Sequence, residues 1–136
     1  MACNLSHLTP STDSLSIAST KTVANIDAKV VGDTTVFTTA PSFGRFYPVL
    51  VRIVLSAVSG LVTAPTVSVG TNSPNFNNIM GATPMTTLTA ANDFFAFLLS
   101  SVAPSVAAST AIKCRVSAGA TATTYTIAAH VIGDYV

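Results

Sequence analysis

Hydrophobic and polar positions alternate with a period of two along most of the chain. The longest run of this kind is Phe46 to Val58, FYPVLVRIVLSAV. Val49, Val51, Ile53 and Leu55 fall on one side of it, and Leu50, Arg52, Val54 and Ser56 on the other. Its β-branched residues pack well on a pleated surface. At about 3.3 Å per residue the run crosses a whole sheet layer. Both of its faces are largely apolar, which predicts a central strand. Arg52, the one charge inside it, needs an aqueous face or a carboxylate partner.

The other elements follow from the same pattern. Thr22 to Val31 alternates and predicts a half-exposed strand. Gly32-Asp33 reads as a turn, with Thr34 to Thr39 pairing back onto the first strand as a hairpin. Ala40 to Gly44 is a loop into the central strand, and Gly60 closes that strand. Leu61 to Thr71 sets Val67 and Val69 inward, with Pro65 marking a strand start or a sheet edge. Asn72 to Gly81, NSPNFNNIMG, is an Asn-rich loop tucked onto the body by Phe76 and Ile79, because Asn tolerates left-handed backbone and caps turns with its own side chain. Met85 to Thr89 reads as a short strand. Asn92 to Leu99 admits a helix capped by Asn92 or a strand; the short aromatic run favours the strand. Ser109 to Ala118 points Ile112, Cys114 and Val116 inward. Beyond Gly119-Ala120, Thr121 to Val131 pairs back as a hairpin with Tyr125, Ile127, Ala129 and Val131 on its inner side.

Val51, Ile53, Val67, Val69, Ile112, Cys114, Val116 and Ile127 are therefore the expected core. Roughly seven to nine strands, with turn signals at about 8–12-residue intervals, predict an all-β antiparallel sandwich. Residues 1–20 are Ser/Thr-rich with Pro10 and carry little pattern, so the chain divides into an extended N-terminal arm, 1–20, and a sandwich domain, 21–136. Ordering each backbone residue of such an arm costs about 1–2 kcal/mol, which needs a partner surface to offset it. Leu5, Leu8, Leu15 and Ile17 are the arm's candidate contact residues.

Composition sharpens the fold class. Hydrophobic residues make up 49% of the chain and charged residues 8%, against a usual charged share of about 25%. Glu, Gln and Trp are absent; a chain so poor in good helix formers argues for strands. The net charge is +1 and no basic run exists, so neither nucleic acid nor an anionic membrane is an expected partner. Weak mutual repulsion suits dense packing in an assembly. The N-terminus lacks the basic and apolar regions of a secretory leader. The apolar stretch Phe94 to Ala108 is interrupted and too short to span a membrane as a helix.

Candidate chemistry is sparse. Asp13, Asp27, Asp33, Asp93 and Asp134 are the side-chain carboxylates, and none is spaced as an acid–base pair. A zinc site from Cys3, His7 and His130 requires the arm to fold back and is not expected. No serine sits in a nucleophile elbow and no Gly-rich phosphate loop is present. Cys114 reads as a buried thiol and not as half of a disulfide with Cys3. No enzyme activity, cofactor or metal is expected.

Three pieces carry a family resemblance: TTVFTTAPSFGRFYP, PTVSVGTNSPNFNNI, and the later aromatic strand in AANDFF, all between Asp33 and Phe95. Together they resemble a recurring pattern in small structural proteins of tailed bacteriophages. The resemblance implies a β-sandwich, often of jelly-roll type, displayed on a virion. It implies a capsid decoration (cement) protein, a homotrimer bound to the major capsid protein at the head surface and made in the host cytoplasm. The arm residues Leu5, Leu8, Leu15 and Ile17 would then meet the capsid. The alternative within the same resemblance is a tail or head-fibre module that binds a host receptor or glycan. A chain of one domain without shaft or repeats favours the decoration protein.

Overall fold

The alternating runs build eight strands in the computed structural model, which describes residues 17–99 and 105–136. They are β1 (Ile17–Asp27), β2 (Gly32–Thr38), β3 (Phe46–Ser59), β4 (Thr66–Gly70), β5 (Met80–Pro84), β6 (Phe94–Leu98), β7 (Ala111–Ala118) and β8 (Thr124–Tyr135). Two four-stranded sheets face each other: sheet I in the order β1-β8-β3-β6, and sheet II in the order β2-β7-β4-β5. Every pairing is antiparallel. Strand 1 pairs with 8, 2 with 7, 3 with 6 and 4 with 5, which is the wrapped connectivity of a jelly roll. The all-β antiparallel sandwich expected from the sequence is the architecture found.

All eight expected core residues are buried between the sheets. Phe46, Leu55, Met80, Met85, Leu88 and Tyr125 join them, fully enclosed. β8 shows why the packing holds: every second residue from Tyr125 to Tyr135 is buried and every intervening one is half-exposed. The Tyr125 hydroxyl donates to the Leu88 carbonyl at 2.7 Å, so the one polar atom of a core aromatic is satisfied. At the far end of β8, Tyr135 packs edge-on against Phe46 and Phe43, and its hydroxyl accepts from the Ala40 amide at 2.8 Å.

Several local expectations are corrected. β1 and β2 do not form a hairpin, and neither do β7 and β8; in each case the two strands lie in opposite sheets. The inward face of each strand is covered by the opposite sheet whichever way the chain is connected. Turn residues alone cannot distinguish that crossing from a hairpin. The turn after β1 is Ala28 to Val31, fixed by Asp27, whose carboxylate accepts from the Lys29 amide. Gly32-Asp33 instead opens β2, opposite Val116 and Arg115. Met80–Pro84 is the strand, while Met85 to Thr89 is a turn that buries Met85 and Leu88. Phe94–Leu98 is a strand, as preferred over the helix.

Two bulges explain the remaining phase errors. β1 slips between Val23 and Ile26, where Asn25 takes φ 60°, so the inward set changes from odd to even positions. β3 slips between Pro48 and Leu50, so Val49 is exposed while Val51 beyond it faces the core. A bulge inserts one unpaired residue and inverts the pattern beyond it. Residues 1–16 lie outside the described residues. The last four positions of the expected arm, Ile17 to Thr20, pair along β8 from Tyr135 to Ile132.

Candidate interaction surface

The two outer faces of the sandwich differ in chemistry. On sheet II, β7 presents Lys113, Arg115 and Ser117. Arg115 Nη1 meets Asp33 Oδ1 at 2.7 Å, an exposed pair. The Asn72–Asn78 loop folds over β4: Ser68 Oγ donates to the Asn75 carbonyl at 3.3 Å, and Phe76 is buried with Lys113 Nζ 5.1 Å from its ring. Asn72 Oδ1 accepts from the amides of Asn77 and Asn78, and Asn78 Oδ1 accepts from the Thr71 amide. These side chains replace a ladder and let the loop close. A Cβ on Gly70 would strike the Asn77 amide, so the strand beneath must be glycine there.

Sheet I is built differently. Ile132, Leu50 and Leu98 stand side by side across β8, β3 and β6. Ala128, Val54 and Phe94 form a second apolar row. Phe94 is 60% and Leu98 74% exposed, and β6 is an edge strand without Lys or Pro to protect it. Exposed apolar side chains grouped on one unprotected edge mark a contact site more often than scattered ones do.

A polar row lies between the two apolar ones. Thr22, His130, Arg52 and Ala96 are aligned across all four strands. Thr22 Oγ1 and His130 Nδ1 are hydrogen-bonded at 2.8 Å. Burial, and secondarily the Arg52 charge, push the His130 pKa below its ordinary value. Arg52 lies 5.8 Å from the Phe94 ring centroid, and its Nε is buried without a hydrogen-bond partner among the described residues. A buried donor left unpaired is costly, more so on a charged group. Of the two settings expected for Arg52, the structure supplies the aqueous one, a half-exposed place on the outer face, and no carboxylate among the described residues pairs with it.

The rest of the chain offers little that resembles chemistry. Among the described residues no three His, Cys or Asp side chains come together as a metal site. A cleft of about 210 Å³ between the end of β1 and the start of β2 is lined by Asn25, Asp27, Val31 and Asp33. Its carboxylates are already engaged, Asp27 by the Lys29 amide and Asp33 by Arg115. Asp93 accepts from the Thr89 and Ala90 amides, which hold its pKa below the usual carboxylate value. Burial pushes the Cys114 thiol up to about 12.

Of the contact residues expected from the sequence, Leu5, Leu8 and Leu15 lie outside the described residues. Ile17 opens β1, opposite Tyr135. Sequence reasoning did not single out Leu50, Val54, Phe94, Leu98 or Ile132. The available signal was the second apolar face of the Phe46–Val58 run, which reads equally as a buried central strand.

No family model matches the chain, and no curated protein sequence matches it. Solved structures do. One chain of the cyanophage Pam1 capsid asymmetric unit superposes with a TM-score of 0.58 at 15% identity, covering 89% of this chain and 85% of that one. A chain of the acid-stable capsid of Helicobacter pylori bacteriophage KHP30 gives a TM-score of 0.57 at 12% identity, over 88% of this chain and 86% of that one. At such identities the likeness is one of fold, and it extends over nearly the whole length of both partners.

Proposed function

We propose that this protein is a non-enzymatic structural component of a bacteriophage virion, and that it decorates the head as a cement protein bound to the major capsid protein. The observation that carries the reading is the whole-length fold match to chains of two phage capsids. The fold alone is shared by viral capsid domains, lectins and cupins. Two further features support the capsid reading. The chain is poor in charge and rich in Ser, Thr and Ala, as suits a densely packed layer. Among the described residues, the outer face of sheet I carries two apolar rows that lie outside the core, Leu50–Ile132–Leu98 and Val54–Ala128–Phe94.

Attachment to the shell is assigned to the N-terminal segment through Leu5, Leu8, Leu15 and Ile17. Extended chain can add backbone hydrogen bonds to an open sheet edge while alternate side chains fill pockets. The resemblance noted above adds a homotrimer, in which three arms engage neighbouring capsid subunits at once. Multivalent attachment converts modest contacts into tight holding.

Deleting residues 1–16 tests the assignment, because it leaves β1 whole. The truncated protein should melt close to the full-length one but bind isolated shells at least tenfold more weakly. Equal binding by both would contradict the arm's role, and no binding to shells by the intact protein would contradict decoration.

A further inference from the structure

We infer that the outer face of sheet I is a contact between two copies of this chain, related by a two-fold axis lying along the Leu50–Ile132 row. The inference goes beyond the virion reading and does not depend on it.

The argument starts from the order of rows on that face. Leu50 pairs with Ile132. The next outward row on one side is Arg52 and His130, and on the other side it is Tyr47 and Asp134. A two-fold axis laid in the contact plane along the middle row exchanges the two flanking rows. His130 of one copy then lies over Asp134 of the partner, with Arg52 within diagonal reach of the same carboxylate and facing Tyr47. An isologous contact needs a self-complementary patch of this kind. Each copy contributes the charge that the other lacks.

The single-chain geometry leaves these groups waiting. Arg52 Nε has no acceptor, and neither Arg52 nor Asp134 makes an ion pair among the described residues. Between and beside them lie Leu50, Ile132 and the exposed Leu98. That is an apolar centre flanked by charges of opposite sign, in which the arginine is already partly desolvated. Buried arginine with apolar neighbours is the usual make-up of an interface anchor. Sheet II has no such arrangement: its Arg115 is paired within the chain to Asp33, and the Asn72–Asn78 loop covers β4. Two sheets packed face to face stand about 10 Å apart with strands nearly aligned, close enough for the rows to meet.

Sedimentation or light scattering of the full-length protein over a range of concentrations tests the contact. The expected mass is twice that of the 13.9 kDa chain, or six times it where two of the proposed trimers meet through this face. Leu98→Asp changes an exposed side chain, so it should weaken association at least tenfold while leaving the melting temperature nearly unchanged at concentrations where both proteins are dissociated. Arg52→Asp and Asp134→Arg should each weaken it similarly, and the double variant should recover most of the loss. A protein that stays monomeric at high concentration overturns the inference, whether its face is open or covered by its own N-terminal segment. So does an oligomer that stays odd-numbered at high concentration, or a double variant no better than either single one.

Discussion

Arg52 stands directly across the β3–β8 ladder from His130, whose other neighbour, Thr22 on β1, is hydrogen-bonded to its Nδ1. Burial and the guanidinium charge together lower the imidazole pKa. The consequence is a pH dependence of stability with a definite sign. Above the ordinary histidine value of 6.5, folded and unfolded chains both hold His130 neutral and it contributes nothing. Below it the unfolded chain takes up the proton first, so the folded state loses relative stability until its own lowered pKa is passed. For the unassociated chain, at low protein concentration or in a Leu98→Asp background, melting temperature should therefore fall as pH drops from about 7.5 to about 5.5, and His130→Gln should flatten that fall. A variant with the same pH profile as the original would contradict the assignment.

Tyr125 is the one core aromatic whose hydroxyl anchors the Met85–Thr89 turn, through the Leu88 carbonyl. Burial, and secondarily the nearby Asp93 charge, push its pKa up to about 12, so it stays protonated and donating. Tyr125→Phe removes the donor and leaves a buried acceptor unpaired, which should cost about 1–3 kcal/mol in chemical denaturation. A loss near zero would mean that the carbonyl finds another partner.

Ile53 and Leu98 separate the two sides of sheet I. Ile53 is fully enclosed between the sheets, so Ile53→Ala should cost about 2–5 kcal/mol. Leu98 points away from the core, and Leu98→Ala should change the intrinsic stability of the chain by no more than about 0.5 kcal/mol. Comparable losses at both positions would place Leu98 in the core and contradict the description of the outer face.

Cys114 offers an independent check of the β7 register. With its thiol enclosed and its pKa pushed up to about 12, it should resist a thiol reagent at neutral pH in the folded protein and react at once in denaturant. The experiment belongs in a Cys3→Ser background, so that one thiol is counted. Rapid labelling of the native protein would show that β7 opens or is turned over.

Much of the fold was legible in the alternation. Ile112, Cys114 and Val116 on β7, and Tyr125 to Val131 on β8, face the core as their period-two pattern requires. Which strands pair was not legible. A turn such as Ala28–Val31 has the same local chemistry whether it returns the chain alongside β1 or carries it to the opposite sheet. The phase errors have a narrower cause: Asn25 and Val49 are bulged, and one extra residue inverts a two-residue period. The candidate surface was half legible. Leu50 and Val54 declare a second apolar face on β3, but whether that face is buried by a third layer or left open is a property of the whole fold. The described residues form two layers, and none of them covers this face, which holds Arg52.

The central claim, that the chain is a structural component decorating a phage head, is tested most directly by counting. The measurement is the molar ratio of this chain to the major capsid protein in purified particles of a phage whose genome carries this sequence, by quantitative mass spectrometry with labelled standards. The account predicts a copy number of the same order as that of the shell protein, retained through purification. A handful of copies per particle would assign the chain to a tail or fibre, and its absence from particles would contradict the structural role altogether.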